Sequence, residues 1–259
     1  MRAAVTITDL TRMQGDHICV AGYLRDGTCI RPRFQWKPLT ESWVWQKETV
    51  IIRPFNEVEL ELVEHKPEPP HSEDWWVNPT YYRLLRMLKA DRQLALLDRI
   101  QDPSVQSIFG APIQQEHGWF IKAGQGTRSL GTVKVASVER VTYAPRPDGR
   151  WDYRIAFTDA GATNYRLAVT DLAFRCYLDH ARKQEGLPPD KAANHLTGLL
   201  QEPVLYLRIG LARGWDKYPD RCYLQITGVY SFPDYLNGKC FADFIPHPQN
   251  AQADVDVPF

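Results

Sequence analysis

Over residues 5–64 the chain repeats apolar side chains at alternate positions and cuts them into short runs with Gly, Pro and Asp-Gly. That period of two is the period of a pleated strand, so this stretch can fold as a β-sheet but not as a helix. Asp26-Gly27 stands between Val20-Ala21-Gly22-Tyr23-Leu24 and Cys29-Ile30-Arg31-Pro32-Arg33-Phe34, which predicts a β-hairpin turn. Farther on, Val58, Leu60 and Leu62 alternate with Glu57, Glu59 and Glu61, giving a strand with one buried and one acidic face. The prolines of Glu64-His65-Lys66-Pro67-Glu68-Pro69-Pro70-His71 then forbid regular structure and predict a connector.

Asn78-Pro79 reads as a helix N-cap followed by proline at the first helical position, with Tyr82, Leu85 and Leu88 at helical spacing. Asp91 is placed to cap a second helix carrying Leu94, Leu97 and Ile100, so a helical insertion is expected from about 75 to 110. Strand character returns at 118–122, 132–138 and 151–157, with Pro145-Arg146-Pro147-Asp148-Gly149 as a turn. Two helices are expected next, one from near Thr170 to before Gly186 and one over about 190–200, followed by strands at 204–211 and 222–230. The order predicts a mainly β protein with helical insertions (α+β) built on two small β-barrels. The first barrel core takes residues 1–64 and the proline connector with its helical insertion takes 65–111. The second barrel takes 112–245, with a helical pair near 170–200, and a flexible tail takes 246–259.

Composition narrows the function classes. With 44% hydrophobic and 24% charged residues in 259 positions the chain can bury a sizeable core. No apolar run approaches the roughly 18–20 residues of a membrane span, and the N-terminus lacks the apolar stretch of an export signal; a cytoplasmic protein with no membrane partner is expected. Thirty-one basic residues balance thirty-one acidic ones, so no whole-chain field steers it to nucleic acid and any basic site must be local. The five cysteines are widely spaced, form no CxxC or Cys/His quartet, and read as reduced thiols; no metal or cofactor is expected.

Three segments carry candidate chemistry. In Cys29-Ile30-Arg31-Pro32-Arg33-Phe34-Gln35-Trp36-Lys37, an extended backbone puts Arg31, Arg33 and Lys37 on one face and Trp36 on the apolar one. The basic face suits phosphates, because guanidinium groups can engage two oxygens at once; a solubilising edge strand is the alternative. The segment around Tyr206, Arg208, Arg213, Trp215 and Lys217 interleaves cations with rings, as a single-strand binding surface requires, although Trp215 can equally plug a barrel end. Lys122-Ala123-Gly124-Gln125-Gly126-Thr127-Arg128 can offer backbone NH groups to an anion with Lys122 and Arg128 assisting, or be a plain flexible loop. His65 and His71 near Glu73 and Asp74 read as surface residues of the connector, with metal binding as the alternative. Asp148 with Asp152 superficially matches a metal-dependent nuclease pair, but Arg154 stands in the place of the nuclease lysine.

Cys19-Val20-Ala21-Gly22, Cys29-Ile30-Arg31-Pro32, the run from Leu205 through Arg208 to Arg213, and Tyr223-Leu224-Gln225-Ile226-Thr227-Gly228-Val229-Tyr230 together resemble the dual OB-containing domain proteins of prokaryotes, over about residues 4–244. The resemblance implies two OB-type barrels, nucleic-acid binding, and neighbourhoods of antiviral defence or mobile elements; it implies no catalytic residues. The expected function is non-catalytic binding of single-stranded or unpaired DNA or RNA, as a recognition subunit of a defence assembly with a partner protein. The alternatives are an adaptor docking a partner enzyme and, third, a metal-dependent nuclease.

Overall fold

The computed structural model describes residues 1–214 and 216–245. Five strands close the first barrel: β1 (Arg2–Arg12), β2 (Ile18–Leu24), β3 (Cys29–Arg33), β4 (Asn56–His65) and β5 (Asp74–Met87), in the order β1-β2-β3-β5-β4. All neighbours are antiparallel except β3 and β5, which run parallel with Arg31 opposite Asp74. The inward positions of these strands, Val5, Ile7, Val20, Ile30, Val58, Leu60 and Leu62, fill its core.

The second unit repeats the pattern. Helix α1 (Ala90–Ile100) leads to a short strand β6 (Trp119–Lys122) and then to β7 (Leu130–Pro145), β8 (Trp151–Asp159) and β9 (Asn164–Val169). Helices α2 (Leu172–Lys183) and α3 (Pro189–Gln201) precede β10 (Val204–Leu211) and β11 (Arg221–Phe232). Strand β9 pairs in parallel with β11, and the remaining pairs of the ring β7-β8-β9-β11-β10 are antiparallel. The alternation of Tyr165, Leu167 and Val169 with Asn164, Arg166 and Ala168 marks β9 in the sequence, but its six residues lie against the helical run that follows and are easily absorbed into it.

Two features join the barrels. Helix α2 is buried on both sides: Leu172 and Cys176 belong to the first core, and Phe174, Leu178 and Ala181 to the second. Its N-cap is Asp171, which accepts from Phe174 N at 3.0 Å and from Val229 N of β11 at 2.9 Å. Beside it, Arg208 of β10 has no exposure and donates to Asp9 Oδ2, Tyr23 Oη and Thr132 Oγ1, each at 2.9 Å. The outward side of β1 and β2 around Thr8, Asp9 and Tyr23 is thus covered by β10 and β11 of the second barrel.

Several expectations are corrected. Residues 74–87 are strand, not helix, so the first barrel extends well beyond residue 64 and the insertion shrinks to α1 and its flanks. Asn78-Pro79 sits in a bulge, since the β4–β5 register jumps from Leu60–Tyr82 to Leu62–Val77. There Asn78 Oδ1 accepts from Thr80 N at 3.0 Å, and the missing proline NH costs the ladder nothing. Asp91 lies in the first turn of α1 instead of capping it, and the N-cap is Lys89. The acidic face of β4 is neutralised: Glu57 is buried between Arg25 and Arg86, and Glu59 receives Tyr81 and Arg83. The tail expected from 246 lies outside the described residues. Among the described residues no helix is long and apolar enough to cross a membrane.

Candidate nucleic-acid interface

The end of β3, the β4–β5 loop (residues 66–73) and the β10–β11 loop (residues 212–220) converge at the seam between the barrels. Parallel pairing of Arg31 with Asp74 and of Arg33 with Trp76 puts these four on the outer face, because side chains alternate along each strand. Asp74, with no exposure, then gathers three guanidinium groups. Arg31 Nε reaches Oδ1 at 2.6 Å, Arg33 Nη1 reaches Oδ2 at 2.8 Å, and Arg213 arrives from the second barrel on the same Oδ2. Burial alone would push the Asp74 carboxyl up, but the arginines, Arg31 first, hold it below the usual carboxylate range. Glu68 takes the other amino group of Arg213 at 2.8 Å on the open side.

The loop behind this cluster is docked and not a free linker. Glu73 accepts from Ser129 N, Ser129 Oγ and Leu130 N, and Ser72 Oγ donates to Thr127 O at 2.8 Å. Gly126 allows the approach: its φ is +91°, and a Cβ there would lie 2.8 Å from Phe109 O. His71, expected on the surface, is 3% exposed, and burial with the charges of Arg31 and Arg213 lowers its pKa to about 3. The remaining surface carries rings and cations. Trp36 is 88% exposed between Gln35 and Lys37, because β3 ends at Arg33 and the alternation that would have buried it ends there too. Lys66 lies 4.4 Å from the Trp76 ring centroid.

Of the sequence candidates, Arg33 and Arg213 meet at Asp74 with their side chains partly open to solvent, while Lys37, in the loop after β3, and Lys217, in the β10–β11 loop, are exposed. Arg31 is brought there as well, but it is 6% exposed and committed to Asp74. Arg208 and Tyr206 are corrected: both are fully buried, Arg208 on Asp9 and Tyr206 on Asp98, and neither can meet a phosphate where it stands. Arg128 is held by Asp102 and the Ile108 carbonyl, so the glycine loop is a docking element, while Lys122 at its start is exposed. Trp215 lies outside the described residues. Sequence reasoning passed over Glu68 and Trp76 and read His71 and Asp74 as surface residues of the connector, because pairing across the seam leaves no local signal. Asp148 is bound by Arg150 and Asp152 by Arg154, and no cluster of His, Cys, Asp or Glu fit for a metal ion occurs among the described residues.

The family model of the dual OB-containing domain matches residues 8–229. The chain belongs to the dual OB-containing domain family. Both barrels fit that name, since each has the five-strand ring with a parallel pair between its third and fifth strands. A search of the curated proteins finds no match. In OB barrels ligands lie on the second and third strands and the loops between strands 1–2 and 4–5. In this dual OB-containing chain the second barrel covers the first around Asp9 and Tyr23, and the two 4–5 loops meet at Asp74 and Arg213.

Proposed function

We propose that the protein binds a single nucleic-acid strand, without cleaving it, across the seam where the two 4–5 loops meet. Arg33, Lys37, Arg213 and Lys217 meet phosphates there, and Trp36 offers the ring on which a base stacks. The observation that carries this reading is Trp36, 88% exposed with Lys37 beside it in the chain. An indole held in water gains by covering its face, and a stacked base is worth about 1–3 kcal/mol on an aromatic platform. A single strand fits better than a duplex because its bases are free to stack, and a neutral chain reaches it through a local field only.

The test is fluorescence anisotropy against labelled single-stranded DNA, single-stranded RNA and duplex at two salt concentrations. Binding to a single strand is expected, with a slope in log–log salt plots of about −3 if four phosphates are neutralised. Trp36→Ala should weaken binding by roughly 5–100-fold with an unchanged melting temperature. Absence of binding to all three by the folded chain would remove the reading. An adaptor role rests on a different observation, the exposed Leu84, Leu85 and Met87 at the end of β5, where it pairs with the start of β4. It gains ground only if nucleic acid fails to bind and a partner copurifies through that strand end.

A further inference from the structure

Behind the open cations the seam holds a second, inner set of groups whose hydrogen bonds do not close. Arg31 is 6% exposed and His71 3% exposed, and among the described residues Arg31 Nη2 and both ring nitrogens of His71 are buried without a hydrogen-bond partner. A buried donor left unanswered costs about as much as a lost hydrogen bond, so two such side chains side by side need a ligand. The charges that act most strongly on His71 are those of Arg31, Arg213, Asp74 and Arg33, three cations to one anion. The two oxygens of Asp74 already answer all three arginines. The next carboxylate, Glu73, is turned to the other barrel, where it accepts from Ser129 N, Ser129 Oγ and Leu130 N. Only Glu68 is free to move, with its side chain 72% exposed while it holds Arg213.

We propose that Arg31, His71 and Arg213 form a subsite for a phosphomonoester, the terminal phosphate of a strand or of a free nucleotide, which enters by replacing Glu68 on Arg213. This deepens the nucleic-acid reading and rests on it for the strand itself. An oxyanion supplies what these groups lack: acceptors for Arg31 Nη2, for one His71 NH and for the Arg213 group that Glu68 vacates. Planar guanidinium donors match phosphate oxygens in pairs. A terminal phosphate carries more charge than an internal diester, so three clustered arginines favour an end over the middle of a strand. The carboxylate of Glu68 then acts as the resident stand-in that keeps Arg213 neutralised until the phosphate arrives. A metal ion is excluded by the same arginines, which repel it.

The experiment compares one oligonucleotide sequence with a 5′-phosphate, a 3′-phosphate or hydroxyls at both ends, together with inorganic phosphate and a mononucleotide. Binding is read by anisotropy and by the ring resonances of His71 in NMR spectra of the full chain. A phosphorylated end is expected to bind at least tenfold more tightly than hydroxyl ends, and phosphate is expected to shift the His71 resonances. His71→Gln should erase the preference and leave the affinity for the hydroxyl-ended strand unchanged, whereas Glu68→Gln should tighten phosphate binding severalfold. If inorganic phosphate and the mononucleotide shift His71 but no oligonucleotide binds, the subsite stands with a free nucleotide as its ligand and the strand reading fails. If all ends bind equally and no phosphate species moves His71, the subsite is overturned while the strand reading survives.

Discussion

A guanidinium with no exposure stands only where a carboxylate and further acceptors answer it, and Arg208 has Asp9, Tyr23 and Thr132. Burial works against its charge, but Asp9 outweighs that and raises its pKa well above the ordinary arginine value. Removing one partner strands the other, so Arg208→Met is expected to cost about 3–5 kcal/mol in urea unfolding, with Asp9→Leu added to it recovering much of the loss. Equal losses in the single and double variants would deny the coupling. His71 makes a pH-dependent contribution of known sign. Its folded pKa of about 3 lies below the ordinary histidine value, so the unfolded chain binds the proton more readily, and its stability contribution is present above about pH 6.5 and lost as pH falls toward 3. Between pH 7 and pH 5 the wild type should lose about 2 kcal/mol more than His71→Gln, measured by urea titration at both pH values; parallel losses would show that His71 does not carry this term. At this scale the sequence pointed to Arg33, Lys37 and Arg213 as open cations but overrated Arg208 and Tyr206. Alternating arginines read the same whether solvent or a second barrel covers their face, and the identity of that cover is non-local.

At the scale of elements, period-two alternation located most of the long strands, and α2 and α3 fell where helical spacing and the Gly186 stop placed them. The fifth strand of the first barrel was misread because Asn78-Pro79 carries the same local turn chemistry in a bulge as at a helix start. What decides between them is the partner strand: Leu62, Glu64 and His65 of β4 wait for Val77, Trp76 and Trp75, and no window of the sequence displays that pairing. Since the bulge does not use a proline NH, Pro79→Ala should shift stability by less than about 0.5 kcal/mol, whereas Leu60→Ala, buried in the core, should cost about 2–5 kcal/mol. A thermal melt showing Pro79→Ala to be the costlier of the two would contradict the placement of the bulge. The proline connector was misjudged for a related reason. Prolines forbid regular structure, but they do not forbid burial: Ser72 and Glu73 are held by Thr127 and Ser129, more than fifty residues on, and His71 is buried beside them.

For the whole molecule, the helix α2 shared by both cores and the Asp9–Arg208 contact hold the barrels so that their 4–5 loops share one carboxylate. The second barrel keeps an open sheet face of its own, where Arg154 and Arg166 are answered by Asp152. The account places the bound strand at the seam and not on that face, and the two sites are separable by charge reversal. Anisotropy with a labelled single strand at low salt is the most direct measurement, comparing Arg33→Glu/Lys37→Glu with Arg154→Glu/Arg166→Glu. The account predicts that the seam pair lowers affinity by at least about tenfold, as expected when two phosphate contacts become repulsions, and that the sheet-face pair stays within about twofold of the wild type because the strand does not cross that face. Loss of binding in the sheet-face pair with full binding in the seam pair would contradict it.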